Sequence, residues 1–525
     1  MNIKKDVFKS LEENQTAFLK KAEEEEKEKT EWNAEEWLIY FTSLINKRKE
    51  CPTDFHDYGK NGQPVESKSV YYHRVSEAVL SYIDRESGVR FAIEYRPERS
   101  VLLPSVVYFW NGRFWMKAGK ASIEWLGLLS ATAQKLGISK EESLLSIFRE
   151  GLLKELRELM PKLGRPDAKY GWLNLWNGTL KIDLKTAETT YIPHDPFHYL
   201  IYILPYDYSP DTATPLFDKF FFRMLPSEPT RMALMEFLGS CFLPGRGSGK
   251  IMMAQGTQKG DNGKSTFIKI LKLVLGEANI SSYSLTELSV DEKTRYNIIG
   301  KLLNWGHELG KDFDAENIKK MAGREPVVVR EMYHQPDESV NYARLVGNFN
   351  ELPSSSEITE SFFKRLLMIP FLEEIPIEEQ IPDLENIICE TERCGILNQI
   401  LEGARRLIRN NYQIDTTETR NARQAYRAEL NPVVAWVEAV SLEEIFREEV
   451  LDEWGRPTGE TRSISLLTAE ELYRKFICWA ETSDPASAKM SQTKFGRLAL
   501  MLPLKKDRAS QFGNKTVYQL TAKPS

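Results

Sequence analysis

The run Gly260-Asp261-Asn262-Gly263-Lys264-Ser265-Thr266 brings together glycines, a lysine and adjacent hydroxyls, the residue types that hold phosphates. The apolar stretch Ile251 to Ala254 precedes it, and Thr266, Phe267, Ile268, Ile270 and Leu271 follow at helical spacing. That pattern predicts a strand, a glycine-rich turn and a helix, with backbone N–H groups and a helix N-terminus turned toward one anion. In such a loop Lys264 reaches the β- and γ-phosphates and the Ser265 hydroxyl ligates Mg²⁺. Gln258 stands where the G-x-x-x-x-G-K-[ST] pattern has its first glycine, so Gly260 and Gly263 must relieve the turn.

Hydrolysis needs further groups, and three later stretches supply them. Lys301 to Glu308 reads as a short strand ending in a carboxylate. Glu308 would orient the attacking water and share the Mg²⁺ shell. Ala343 to Asn350 reads as another strand, with Asn350 at its tip to bond the γ-phosphate or the water. In Ser361 to Phe371, Arg365 precedes an apolar strand. An arginine there could stabilise charge on a phosphoryl group held by a neighbouring subunit, worth roughly 10³ to 10⁵ in rate. Between these strands, Val327 to Arg330 and the residues from Val340 onward are expected to pair as a hairpin with Tyr333 and His334 near its tip. A basic, aromatic tip can follow single-strand phosphates and stack on bases.

The elements that must position these groups sit in a 525-residue chain, long enough for several cores, with 42% hydrophobic and 28% charged residues. No apolar run is long enough to span a bilayer and the N-terminus has no signal-peptide core, so a cytoplasmic protein is expected, with no membrane partner. The scattered cysteines lack zinc spacing. A net charge of −6 argues against a phosphate-coated surface while leaving room for a locally basic channel.

Residues 1–65 read as a charged helical segment that includes Glu23 to Glu26, with Trp32, Trp37, Leu38, Phe41 and Leu44 on one helical face. Residues 66–215 read as an α+β accessory domain. Its pairs Asn111-Gly112 and Asn177-Gly178 each predict a two-residue hairpin turn, and Ile123 to Leu159 has helical periodicity. Residues 216–250 should form helices that make a lid on the nucleotide pocket, within an ATPase domain spanning 216–430. The segment 431–525 reads as helices over Thr468 to Thr482 and Ser491 to Leu502, then strands around Gly513-Asn514 that suggest a wing. Lys494, Arg497, Lys505, Lys506 and Arg508 would face duplex DNA, or the unit would dock a protein. A polymerising site needs carboxylates holding two metals roughly 4 Å apart. Only Asp54-Phe55-His56-Asp57 offers them, so a complete primase is not expected.

In their order, Gly260 to Phe267, His307-Glu308, Ile318 to Gly323, Phe349 to Pro353 and Lys364 to Phe371 resemble the superfamily 3 helicases. The likeness is to the phage and plasmid primase–helicase branch that includes the poxvirus uncoating ATPase. Trp176 to Thr186 followed by Pro193 to Pro196 looks like the accessory domain of that branch. The resemblance implies an α/β fold with an AAA+ P-loop core, a hexameric ring using ATP and Mg²⁺, and single-stranded DNA in its pore. Lys264, Ser265, Glu308 and Asn350 would act in cis and Arg365 in trans, while Lys319, Tyr333 and His334 match the pore segment. His307 stands where many such ATPases have an acid.

The expectation is an ATP-dependent DNA helicase replicating a mobile element, with a separate primase or polymerase as partner. The rival is an ATP-switched initiator that binds duplex origin DNA and melts it without processive unwinding.

Overall fold

The computed structural model describes residues 33–53, 55, 68–93, 107–118, 123–245, 249–257, 260–308, 314–332, 335–349, 360–451, 456–485, 487–499, 502, 504–509 and 515–520. The acidic run Glu23 to Glu26, Trp32, Asp54, His56, Asp57, Gln258, Tyr333, His334, Asn350 and the Gly513-Asn514 turn lie outside these residues.

Helix α1 (Ala34–Asn46) starts at Asn33, whose side chain accepts from the Glu35 and Glu36 N–H groups while the Glu36 carboxylate accepts from the Asn33 N–H. Its Trp37, Leu38, Phe41 and Ile45 are buried with side chains of α2 (Lys68–Ser87), α3 (Ile123–Lys135) and α4 (Ser146–Leu159). Phe91 and Phe109 join them from an antiparallel sheet of β1 (Arg90–Ile93), β2 (Val107–Trp110) and β3 (Trp115–Ala118). The expected long helix from Ile123 breaks after Lys135, where Gly137 adopts a φ of +96° that few other residues tolerate.

A second antiparallel sheet holds β4 (Tyr170–Leu175), β5 (Gly178–Asp183) and β6 (Thr189–Ile192). Both predicted hairpins form, but neither uses a two-residue Asn-Gly turn. Trp110 pairs with Trp115, leaving a four-residue connection in which Asn111 Oδ1 accepts from the Arg113 and Phe114 N–H groups, each at 3.0 Å. In the second hairpin Leu175 pairs with Gly178, so Trp176 and Asn177 turn the chain. There Asn177 is held by Tyr208, and a Cβ on Gly178 would lie 2.5 Å from Tyr191. Tertiary packing has shifted the register by one residue.

The main sheet contains β7 (Ile251–Gln255), β8 (Ile280–Ser281), β9 (Leu303–Glu308), β12 (Arg344–Phe349) and β13 (Leu366–Pro370). A hairpin of β10 (Pro326–Val329) and β11 (Asp337–Val340) intervenes before β12. The hairpin's second strand begins before Val340, where the sequence pattern had started it. The sheet is parallel throughout, in the order β13-β7-β12-β9-β8. Strands covered on both faces carry continuous apolar runs, as in the buried Ile251 to Ala254 and Leu366 to Ile369.

Around this sheet pack α5 (Pro215–Met224), α6 (Glu228–Gly239), α7 (Lys264–Leu275), α8 (Ala315–Gly323) and the 26-residue α9 (Leu384–Arg409). Leu173, Leu180 and Ile182 of the second sheet share one core with α5, α6, α7 and α9, so hydrophobic contact runs unbroken across residue 215, while α8 packs in a second cluster on the sheet. Helices α6 and α9 cross closely enough that a Cβ on Gly403 would lie 2.2 Å from the Met235 carbonyl oxygen.

A separate core closes the chain around α10 (Pro432–Val440), α11 (Ala469–Ser483) and α12 (Gln492–Leu498). A hairpin of β14 (Arg447–Leu451) and β15 (Pro457–Ser463) precedes β16 (Leu466–Thr468), which pairs with β18 (Lys515–Leu520), itself paired with β17 (Leu504–Ala509). Thr468 and Glu471 form the capping box of α11. Helix α12 is shorter than the periodicity implies, ending at Leu498.

Candidate phosphate-binding site

Strand β7 delivers the chain to the C-terminal edge of the parallel sheet, where ligands of open α/β sheets bind. The Gly256 N–H donates to Phe349 O at 2.9 Å and the Phe371 N–H to Gln255 O at 2.8 Å, tying the loop's start to both flanking strands. The loop then turns through left-handed backbone at Gly260 (φ +77°), Asp261 (φ +47°) and Gly263 (φ +76°). Buried Asn262 anchors it, its Nδ2 donating to Phe371 O at 3.0 Å, and the Ile375 N–H donates to Asp261 O at 2.7 Å. Gly263 is the N-cap of α7 and brings no capping side chain, while Asn262 Oδ1 accepts from the Lys264 N–H at 3.4 Å. An N-terminus of this kind suits an anion.

What holds α7 there is aromatic packing. Phe267, Ile270, Leu271, Val274 and Leu275 are buried on one helical stripe. The Phe267 ring lies parallel to Phe221 of α5, 5.9 Å between centroids, and 6.1 Å from Trp305 of β9. Phe220 and Met224 of α5 sit against Gly263, so residues 215–224 back the loop from inside the core. Helix α5 is fixed by the buried Glu392 of α9, whose carboxylate accepts from the Leu216 and Phe217 N–H groups at 2.9 and 2.8 Å. At the far end of α7, Gly276 (φ +81°) ends the helix. Tyr206 Oη donates to Val274 O at 2.7 Å and Asn279 Nδ2 to Leu275 O at 2.8 Å.

Glu308 ends β9 at the same edge, in register with Asn348 of β12, which is in turn in register with Ala254 of β7. At about 4.8 Å per strand its backbone lies roughly 10 Å across the sheet from β7. The approach to Glu308 contains a bulge: Val346 and Asn348 pair with Trp305 and Glu308, leaving an extra residue on β9. Gly306 permits it, since a Cβ there would lie 2.6 Å from Tyr283 O. Asn348 then clamps the strand end, accepting from Trp305 Nε1 at 3.1 Å and donating to Gly306 O at 3.0 Å. The buried Asn304 bonds Ser281 and both main-chain groups of Tyr283, pinning the segment beside β9. Sequence reading passed over Asn348 and Asn304; polar residues inside an otherwise apolar strand are the signal that marks them.

Arg365 is not brought to this edge. It precedes β13, and its carbonyl accepts from the Ile251 N–H at 2.8 Å, which puts it at the start of β7. The span of β7, roughly 13 Å at 3.3 Å per residue, separates its backbone from the loop. Its guanidinium lies 4.0 Å from Glu325. Nearby, burial pushes Arg344 down to about 10 and Arg324 down to about 9. Arg344 donates to the Ser240 and Leu243 carbonyls. Lys319 lies half-buried on α8, whereas Lys494, Arg497, Lys505 and Lys506 are exposed on the C-terminal unit.

The loop brings together left-handed turns, a glycine at the helix N-cap, Lys264 in the first turn and the exposed Ser265 beside it, the features an anion site can use. Among the described residues no group of three or more His, Cys, Asp and Glu is placed to hold a metal ion. No described helix is long and apolar enough to cross a membrane.

Residues 88–226 match the family described as D5 N terminal like, and residues 256–365 match a family of unknown function, DUF5906. The second begins just after β7 and ends at Arg365. No curated protein matches this chain. Among solved structures, an A-form apo structure of the NrS-1 C-terminal region is 10% identical, covering 85% of this chain and 99% of that one, with a TM-score of 0.45. Another apo structure of that region is 11% identical, covering 87% and 100%, with a TM-score of 0.41.

Proposed function

We propose that this chain is an ATP-dependent DNA helicase of superfamily 3, with an AAA+ core that hydrolyses ATP between copies of itself in a ring, serving replication of a phage, plasmid or related element. The observation that carries the reading is the shared edge: the loop of Gly260 to Ser265 leaves β7 at the edge where Glu308 ends β9, in a parallel sheet ordered β13-β7-β12-β9-β8. The D5 N terminal like match supports the replication context.

In this reading the loop N–H groups from Gly260 to Thr266 and the Lys264 ammonium hold the phosphates, and Ser265 and Glu308 share the Mg²⁺. Bound Mg²⁺ supplies charge neutralisation on the phosphate oxygens. Glu308 orients water for attack, and Asn348 positions Glu308 by fixing the bulged end of β9. Asn350 contacts the γ-phosphate side. Arg365 lies at the opposite end of the sheet from its own loop, which supports a role toward a neighbouring copy. Lys319, Tyr333 and His334 follow single-stranded DNA in the pore. The C-terminal unit, whose strands run β16-β18-β17 beside α10, α11 and α12, is read as a winged helix, with Lys494, Arg497, Lys505 and Lys506 toward duplex DNA.

Steady-state ATP turnover by the full chain tests this. Turnover should rise with single-stranded DNA and disappear in both Lys264→Ala and Glu308→Gln; wild-type turnover in either variant rejects the site. The exposed cations of the C-terminal unit keep the initiator reading in play. It would be favoured by binding to one duplex site that persists in Lys264→Ala without any unwinding.

A further inference from the structure

On the β4–β5–β6 sheet, away from the phosphate loop, cations and aromatic rings alternate along one face. Lys181 Nζ lies 3.6 Å from the Tyr170 ring centroid, Tyr170 meets Trp172 edge-on at 5.9 Å, and Trp172 packs on His198 at 4.8 Å. The strip continues through the next residues of that turn. Phe197 is 66% exposed, with the Arg90 guanidinium 5.7 Å from its ring and Tyr199 edge-on at 6.4 Å.

Tyr199 has a φ of +54°, a left-handed conformation that a bulky residue avoids unless its surroundings impose it. Those surroundings are identifiable. The Tyr199 ring covers Gly164, where a Cβ would lie 2.5 Å away, and Trp115 fixes the turn through Nε1 to Pro196 O at 2.8 Å and its N–H to Leu200 O at 2.8 Å. Two residues before this strained position Phe197 stands exposed, where core packing gains nothing from it. Arg165 and Lys169 are exposed on the segment running under Tyr199 toward Tyr170. The neighbouring carboxylates of Asp167, Asp183 and Asp195 accept backbone N–H bonds within their own turns, and Asp84 faces Arg90 at 3.5 Å.

We infer that this face binds a single strand of nucleic acid, stacking an unpaired base on Phe197 and taking the flanking phosphates with Arg90, Arg165, Lys169 and Lys181. Rings that accept any base and cations spaced between them suit a strand with unpaired bases, whereas a duplex hides the faces that would stack. The site uses none of the residues proposed for ATP or for the pore and requires no ATP, so it stands independently of the helicase reading.

The test uses the full chain carrying Lys264→Ala, without nucleotide, and fluorescently labelled single-stranded DNA and RNA of one unstructured sequence. Phe197→Ala should weaken binding roughly five- to a hundredfold, while Phe197→Trp should restore it. The double change Arg165→Glu and Lys169→Glu should weaken binding and flatten its salt dependence, by roughly 0.7 in log–log slope for each phosphate that is no longer neutralised. Photocrosslinks should map to residues 162–199. Preference between the DNA and RNA arms identifies the strand. Unchanged affinity in Phe197→Ala, equal affinity for duplex, displacement by an acidic peptide alone, or crosslinks confined to residues 319–334 would each overturn the inference. ATP turnover by Phe197→Ala in the otherwise unaltered chain reads the ring separately.

Discussion

Gly263→Ala separates the two demands placed on the phosphate loop. At φ +76° a Cβ is disfavoured by about 1–2 kcal/mol from backbone sterics alone. It would also lie 3.1 Å from Ile375 Cδ1, 3.2 Å from Phe220 Cε2 and 3.3 Å from Met224 Cγ. Two of those neighbours belong to a helix locked by Glu392, so relief by movement is restricted and crowding adds about 1–2 kcal/mol. Gly260→Ala is the control: its φ is +77°, yet nothing lies within 4 Å of the new Cβ, so it should cost only the backbone part. Urea unfolding of the full chain, followed by tryptophan fluorescence, which includes Trp305 beside Phe267, should place the Gly263→Ala midpoint below that of Gly260→Ala. With a slope of about 2–3 kcal/mol per molar urea, the gap is roughly 0.5 M. The same variant should lose nucleotide affinity, because a displaced α7 start misdirects its N–H groups. Equal midpoints for the two variants would refute the claim that α5 packs against the loop.

Removing the Glu392 carboxylate as Glu392→Ala leaves the Leu216 and Phe217 N–H groups buried without an acceptor, and should cost about 2–4 kcal/mol, read as a lowered thermal midpoint. Asn348→Leu breaks both bonds that hold the end of β9; ATP turnover should fall at least tenfold, an effect of about 1.4 kcal/mol, while nucleotide binding persists. Arg365→Ala subunits mixed with Lys264→Ala subunits should recover part of the turnover if Arg365 serves its neighbour, and mixed rings with no recovery at any ratio argue against it. Burial pushes both His194 and His198 below the usual histidine range, with Asp195 opposing the shift at His198 and Lys181 adding to it. A lowered folded value means the unfolded chain binds the proton first, so this stability is complete above about pH 6.5 and is lost as pH falls. Thermal midpoints should therefore drop in mild acid, and His198→Phe, which keeps a ring against Trp172, should make that drop shallower.

Much of the main sheet was legible because buried parallel strands write themselves as unbroken apolar runs, as in Ile251 to Ala254. The start of α7 was legible for a different reason: glycines and a lysine between a strand and an apolar helical stripe leave few alternatives. The hairpin turns were harder. Asn-Gly favours a two-residue turn locally, but Tyr191 over Gly178 and Tyr208 on Asn177 are contacts from later in the chain, and they move the turn back to Trp176-Asn177. The bulge at Gly306 and the Glu392 cap were invisible for the same reason, since each depends on a partner distant in sequence. Arg365 illustrates the limit for function: its motif was readable, whereas its position at the opposite end of β7 from the loop required the strand register.

Everything proposed for the parallel sheet depends on Gln255 to Leu271 holding a nucleoside triphosphate. Equilibrium titration of the full chain with a fluorescent, non-hydrolysable ATP analogue and Mg²⁺ decides that point. Saturable binding that is lost in Lys264→Ala, and kept in Glu308→Gln, is the predicted result. Undiminished affinity in Lys264→Ala, or no saturable binding to the wild-type chain, would contradict it.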